Sequence, residues 1–246
     1  MLYYYQFEGD KFMKKVIIGF FVVCLFIFTD AYAKVIADIP ENPQRALIII
    51  HGYGGNGNSM RWMTNNLKKA LPDMAFYYPT APDKSPYGGY QWFQIPTLGS
   101  NMSKKDLYDI MMADAIKNVN LLHRLVEEIH DELGISYQNI YVSGFSQGGL
   151  MALLTTLTSS HSLPIAVSFS GVPLLFTKDF MPSQVKNKPD ILLLKGDNDS
   201  AIPQDSIDLT TSTLAKLQIK PEVKIFKGMS HQINQSALQT AIEFMK

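Results

Sequence analysis

The sequence predicts an α/β chain built on a doubly wound, mostly parallel sheet with helices on both faces, and two observations carry that expectation. Apolar runs such as Ala46-Leu47-Ile48-Ile49-Ile50 and Ile191-Leu192-Leu193-Leu194 have no polar side, as strands covered on both faces require. These runs alternate along the chain with segments of helical periodicity, the pattern of repeated βαβ units. At 246 residues, 46% of them hydrophobic, the chain is long enough for one sizeable core.

An edge strand is expected around 35–39, in a lead-in that contains Pro40 and Pro43. The first central strand, 46–50, runs into His51-Gly52-Tyr53-Gly54-Gly55-Asn56-Gly57-Asn58-Ser59, whose glycines let main-chain N–H groups point into a shared space suited to an anion. Met60, Met63, Leu67 and Leu71 then space a helix over 59–71, capped by Asn58 or Ser59 and stopped by Pro72. A strand over 74–78 follows. Residues 79–103, with Pro79, Pro82, Pro86, Pro96 and three glycines, read as a long loop, and loops of that length usually serve function. Its aromatics Tyr87, Tyr90, Trp92 and Phe93 either line an apolar substrate groove or anchor the loop to the core. Leu107, Ile110, Met111, Ala115, Val119, Leu122, Val126 and Ile129 predict an amphipathic helix over 106–133 that Gly134 ends, with His123 and His130 on its surface. Beyond a strand at 140–142, the same reading gives a helix over 149–158, a strand over 165–171, a surface connection over 176–189 and a strand at 191–194. A helix over 204–217, a strand over 222–226 and a helix over 235–245 close the chain.

Residues 1–33 stand apart. Met13-Lys14-Lys15, an apolar run over 16–28 and the ending Ala31-Tyr32-Ala33 spell a secretory signal peptide with cleavage after Ala33, which makes 34–246 a single domain that is periplasmic or secreted. An uncleaved anchor is the alternative, although the run is short for a bilayer span, and Met13 is an alternative translation start. The one cysteine, Cys24, lies in this run, so a chain beginning at Lys34 has neither a disulfide nor a thiolate metal site and suits an oxidising compartment. Lys plus Arg and Asp plus Glu each number 22, a balance that offers nothing to nucleic acid. Composition does not fix an oligomeric state.

The strand at 140–142 ends in Gly144-Phe145-Ser146-Gln147-Gly148, a G-x-S-x-G pentapeptide of the kind that turns a strand sharply into a helix and leaves its serine exposed. The structural alternative is a Gly-rich turn with a serine cap. Ligands of doubly wound sheets collect at the carboxyl ends of the strands, where Ser146, Asp199 and His231 all fall. A serine needs a base to take its proton, which His231 suits, and a carboxylate would orient that imidazole. Asp197 competes with Asp199 for this place, since both lie in one tight turn. Of the other histidines, His51 belongs to the first loop, His123 and His130 to the long helix, and His161 to the loop after the helix over 149–158. The main-chain nitrogens of Tyr53 and Gln147 are read as an oxyanion hole. Gly52-x-Gly54-x-x-Gly57 also matches the dinucleotide fingerprint, but Asp73 precedes the next strand instead of ending it, which argues against that reading.

His51-Gly52-Tyr53-Gly54, Trp92-Phe93, Gly144-Phe145-Ser146-Gln147-Gly148-Gly149, Gly196-Asp197-Asn198-Asp199-Ser200-Ala201-Ile202-Pro203 and His231 together resemble the phospholipase/carboxylesterase family of α/β hydrolases that includes the acyl-protein thioesterases. The resemblance runs from about residue 45 to the C-terminus. It implies an α/β-hydrolase fold without a large cap domain, a serine esterase of the Ser146, Asp199, His231 type, Asp199 rather than Asp197 as the acid, and the nitrogens of Tyr53 and Gln147 as the oxyanion hole. Lys195 stands where the family commonly has His, Gly55 where it often has Asp, and Gln94 where Asp commonly follows Trp-Phe.

The expected substrate is a small-molecule ester, a thioester or a lipid, with Trp92 and Phe93 as substrate contacts, no cofactor or metal, and membrane contact only through the leader or a lipid substrate. A lysophospholipase or lipase acting on longer acyl chains is the rival enzyme. An inactive hydrolase fold used for binding is the rival of another class.

Overall fold

Strands whose residues are apolar on both sides need a hydrophobic layer above and below, and the computed structural model, which describes residues 34–96 and 102–246, has that arrangement. In β2 (Arg45–Ile50), Ala46, Ile48 and Ile50 enter one core cluster while Leu47 and Ile49 enter the other, the alternation of a strand sandwiched between two layers. The chain runs through β1 (Val35–Asp38), β2, α1 (Thr64–Ala70) and β3 (Met74–Pro79). It continues through the short strands β4 (Asp83–Lys84) and β5 (Tyr90–Gln91), the 30-residue α2 (Lys104–Leu133), β6 (Ile140–Phe145) and α3 (Gln147–Thr158). β7 (Ile165–Phe169), β8 (Asp190–Gly196), α4 (Ser206–Lys216), β9 (Glu222–Phe226) and α5 (Gln235–Phe244) complete it.

The main sheet has seven strands in the order β1-β3-β2-β6-β7-β8-β9. Only β1 is antiparallel to its neighbour, with Val35 opposite Pro79, and the six remaining strands are parallel. On one face α2 and α3 pack through Ala115, Val119, Leu122, Leu150 and Leu154, joined by Leu214 of α4. On the other, Leu67 of α1 meets Leu238 and Ile242 of α5. This is the α/β-hydrolase architecture, and among the described residues no large cap lies over it. β6 lies at the centre, and α3, which follows it, is buried along its whole length. Since six strands run the same way, the loops after β2, β6, β7, β8 and β9 all leave by one edge.

Several boundaries differ from the sequence reading, each for a local reason. The helix over 59–71 is a 3₁₀ segment, Gly57–Met63, that passes into α1, and its cap is Asn56, whose side chain accepts the Ser59 N–H at 3.1 Å. α2 starts earlier than 106 because Ser103 caps it and Asp106 closes a reciprocal capping box. Gly134 ends α2 in the left-handed conformation, φ 64°. The 79–103 loop contains the β4–β5 hairpin, which turns at Gly88 and Gly89 with φ of 97° and 69°. Its second strand reaches back to the loop after β2, where Tyr90 exchanges hydrogen bonds with Gly54 and Gly55 at 2.9 and 3.0 Å. The proposed leader, 1–33, lies outside the described residues. Among the described residues no helix is long and apolar enough to cross a membrane.

Candidate active site

The site begins with a turn that only glycine-flanked sequence permits. Between β6 and α3, Ser146 is held at φ 57°, ψ −115°, a conformation that costs a non-glycine residue on the order of 1–3 kcal/mol. A side chain at Gly144 would strike the main chain of Gly148, and one at Gly148 would strike the carbonyls of Ile50 and His51. The neighbouring strand steadies the turn, since Ser146 N–H donates to Phe169 O at 2.9 Å and its carbonyl accepts from Val172 N–H at 3.2 Å.

Chain-distant groups converge on this hydroxyl. Ser146 Oγ lies 3.1 Å from Nε2 of His231, in the turn after β9, and Nδ1 of that ring lies 3.0 Å from Asp199 Oδ2, in the turn after β8. Asp199 Oδ1 accepts the main-chain N–H groups of Ala201 and Ile202, both at 3.0 Å. Burial pushes the Asp199 carboxyl upward, but the hydrogen bonds from His231 and Ile202 and the charges of His231 and Lys195 outweigh it and hold the group at about 2. Asp197, the competing acid, instead accepts the Gly228 N–H at 2.6 Å and ties the two turns together.

The sequence reading missed the partner beneath this carboxylate. Lys195, at the end of β8, is fully buried, and its Nζ lies 3.3 Å from Asp199 Oδ2 while donating to Ile202 O at 3.1 Å. Its signal was a lysine directly after four buried apolar residues, in a run too short to leave the sheet. Ser170, which follows β7, was missed as well. It takes φ 45°, and its buried hydroxyl has no hydrogen-bond partner among the described residues.

The loop after β2 lies against the serine, for a side chain at Gly52 would approach Ser146 Cβ to 3.1 Å. Among the described residues no hydrogen bond takes the main-chain N–H of Tyr53 or of Gln147. His51 is a different matter. Its Nε2 accepts the Ala81 N–H at 3.0 Å, so the proton sits on Nδ1 and is donated to Gly52 O at 2.7 Å. Complete burial lowers this imidazole to about 4 against the smaller opposing effect of the Gly52 bond, and keeps it neutral.

Of the two readings given to Trp92 and Phe93, their side chains take the place of the anchor, wholly buried in the core. Their main chain is clamped as well. Gln147 Oε1 accepts the Trp92 N–H at 3.0 Å, Gln147 Nε2 donates to Phe93 O at 2.8 Å, and Asn118 Nδ2 donates to Trp92 O at 2.7 Å. The Trp92 indole N–H donates to His51 O at 3.0 Å, so the pair anchors the hairpin to the residue preceding the Gly-rich loop. His123 and His130 are also more than surface groups. His123 Nε2 lies 3.2 Å from Thr155 O, and His130 Nδ1 lies 2.6 Å from Ile135 O with its ring stacked on Tyr137. Asp73, the acid that the dinucleotide reading would need, is taken by Arg45 in a two-pronged pair at 2.7 and 2.8 Å. Among the described residues no His, Cys, Asp and Glu side chains are grouped as a metal ion would require.

Residues 31–246 match the family model described as phospholipase/carboxylesterase. The chain belongs to this family. A curated member similar to it is the acyl-protein thioesterase 1 of Eremothecium gossypii, 26% identical over 210 residues that cover 82% of this chain and 86% of that one. A probable carboxylesterase of Oryza sativa is 28% identical over 213 residues, covering 80% and 85%. Among solved structures, esterase PE8 superposes with a TM-score of 0.75 at 25% identity, over 87% of this chain and 97% of that chain. SOBER1 of Arabidopsis thaliana, at 21% identity and a TM-score of 0.68, shares the fold over 82% of this chain and 97% of its own.

Proposed function

We propose that this phospholipase/carboxylesterase family member hydrolyses carboxylic esters, and activated thioesters by the same chemistry, through an acyl-enzyme on Ser146. The observation that carries the reading is the unbroken line of contacts from Ser146 Oγ to His231 and on to Asp199, at 3.1 and 3.0 Å. An ionised Asp199 accepts from Nδ1–H and leaves Nε2 as the acceptor facing the serine, the tautomer a base requires. As Oγ bonds to the ester carbonyl carbon, its proton moves to Nε2, and the carbonyl oxygen gains negative charge toward the amides of Tyr53 and Gln147 at the start of α3. Collapse expels the alcohol, which takes the proton from Nε2, and water repeats the sequence to release the acid and restore the serine. The names of the family and of the relatives agree with this substrate class.

The lysophospholipase alternative would use the aromatics of 87–93 as an acyl platform, and of these Trp92 and Phe93 are buried whereas Tyr87 is 85% exposed. Action in the periplasm or outside the cell belongs to the proposal and rests on the leader-like composition of residues 13–33. Ser146→Ala tests the mechanism. The variant keeps the wild-type melting behaviour and loses p-nitrophenyl ester turnover on the order of 10⁴-fold or more, and a folded variant with full turnover would end the proposal.

A further inference from the structure

A groove of about 400 Å³ opens beside His231. Tyr53, Phe145 and His231 line it together with Met60 and Trp62 of the 3₁₀ segment and Ile233, and Ser59 and Gln232 are the polar side chains beside them. Among the described residues no Asp, Glu, Lys or Arg lines it. Trp62 is 54% exposed, so the indole stands at the mouth and holds up no core.

We infer that this groove receives the alcohol or thiol part of the substrate, and that the part it accepts is uncharged and apolar. The inference rests on the ester-hydrolase reading of the site. The group that leaves must collect its proton from Nε2 of His231, which requires its oxygen or sulfur to come within hydrogen-bond reach of that nitrogen. The carbonyl oxygen at the same moment faces the amides of Tyr53 and Gln147, which assigns the wall continuing from His231 to Ile233 to the departing side. An alkyl or aryl body there gains contact with Phe145, Met60, Trp62 and Ile233, whereas a carboxylate or phosphate finds no cationic side chain along the walls and must give up water.

The test compares kcat/KM for two ester series in the wild type, in Trp62→Ala and in Ile233→Ala: butyrates of ethanol, butanol and hexanol, and ethyl esters of acetate, butyrate and octanoate. A charged pair, 6-butyryloxyhexanoate and its uncharged isostere 6-methylheptyl butyrate, completes the panel. The wild type is expected to favour hexyl over ethyl butyrate, each substitution to reduce that preference about tenfold without altering the acetate-to-octanoate profile, and the carboxylate-bearing ester to be about tenfold or more poorer than its isostere. An unchanged hexyl-to-ethyl ratio in both variants, losses that follow acyl length, or equal use of the charged isostere would overturn the assignment. Labelling of Ser146 by a fluorophosphonate separates the two levels. A labelled, ester-cleaving enzyme that fails these comparisons refutes only the groove, while an unlabelled protein that turns over none of the esters refutes the hydrolase reading and this inference with it.

Discussion

His51 makes a prediction that tests the electrostatics of the loop beside the serine without touching the reacting groups. In the unfolded chain its imidazole gains a proton near 6.5, whereas burial lowers it to about 4 in the fold. Between those values the unfolded state binds more protons, so this group's contribution to stability is complete above pH 6.5 and is withdrawn as pH falls toward 4. At 1.36 kcal/mol per unit, the full difference is about 3 kcal/mol, and the part realised between pH 7 and pH 4.5 is about 2 kcal/mol. His123, also lowered by burial, acts in the same direction, while Glu128 and Glu132, raised by burial, act in the opposite one. A difference measurement removes all of these. His51→Gln keeps a donor for Gly52 O and an acceptor for the Ala81 N–H but cannot titrate. Urea denaturation of both proteins at about pH 7 and about pH 4.5 is expected to cost the wild type about 2 kcal/mol more than the variant. Equal losses would refute the neutral, proton-silent role given to this ring.

Two further outcomes follow from side chains that the site leans on. Lys195→Met removes the buried cation from Asp199 and is expected to destabilise the fold by about 3–5 kcal/mol in urea titrations, with the carboxyl rising from about 2 as one of its stabilising charges is lost. Gln147→Leu strips the main chain of Trp92 and Phe93 of both its clamps from α3. Each buried group left unpaired costs about 1–3 kcal/mol, and limited proteolysis should then cut within 82–96 faster than in the wild type.

The central strands were legible because β2 and β8 are apolar on both faces, a pattern that admits few other structures. The convergence of Ser146, Asp199 and His231 could be anticipated from parallel topology, which brings the ends of β6, β8 and β9 to one edge. Distances, by contrast, belong to packing. The β4–β5 hairpin escaped notice because each strand is two residues long, and its one further bridge, from Tyr90 to Gly55, is made to the distant loop after β2. Trp92 was left with two readings for a related reason. An aromatic pair in a Gly- and Pro-rich stretch suits a groove or a core equally well, and the groups that decide, Asn118 and Gln147, lie far away in the chain. Lys195 was hidden by its type, since lysine is seldom buried without a specific counter-charge.

β9 occupies the outer edge of the sheet, the position from which one molecule could add itself to another through unsatisfied backbone. It is half exposed along its length and carries Glu222 and Lys224, 3.3 Å apart, so alternate positions present charge to an approaching strand. The same five residues lead into the turn that bears His231, so the strand that guards this border also fixes where that turn begins.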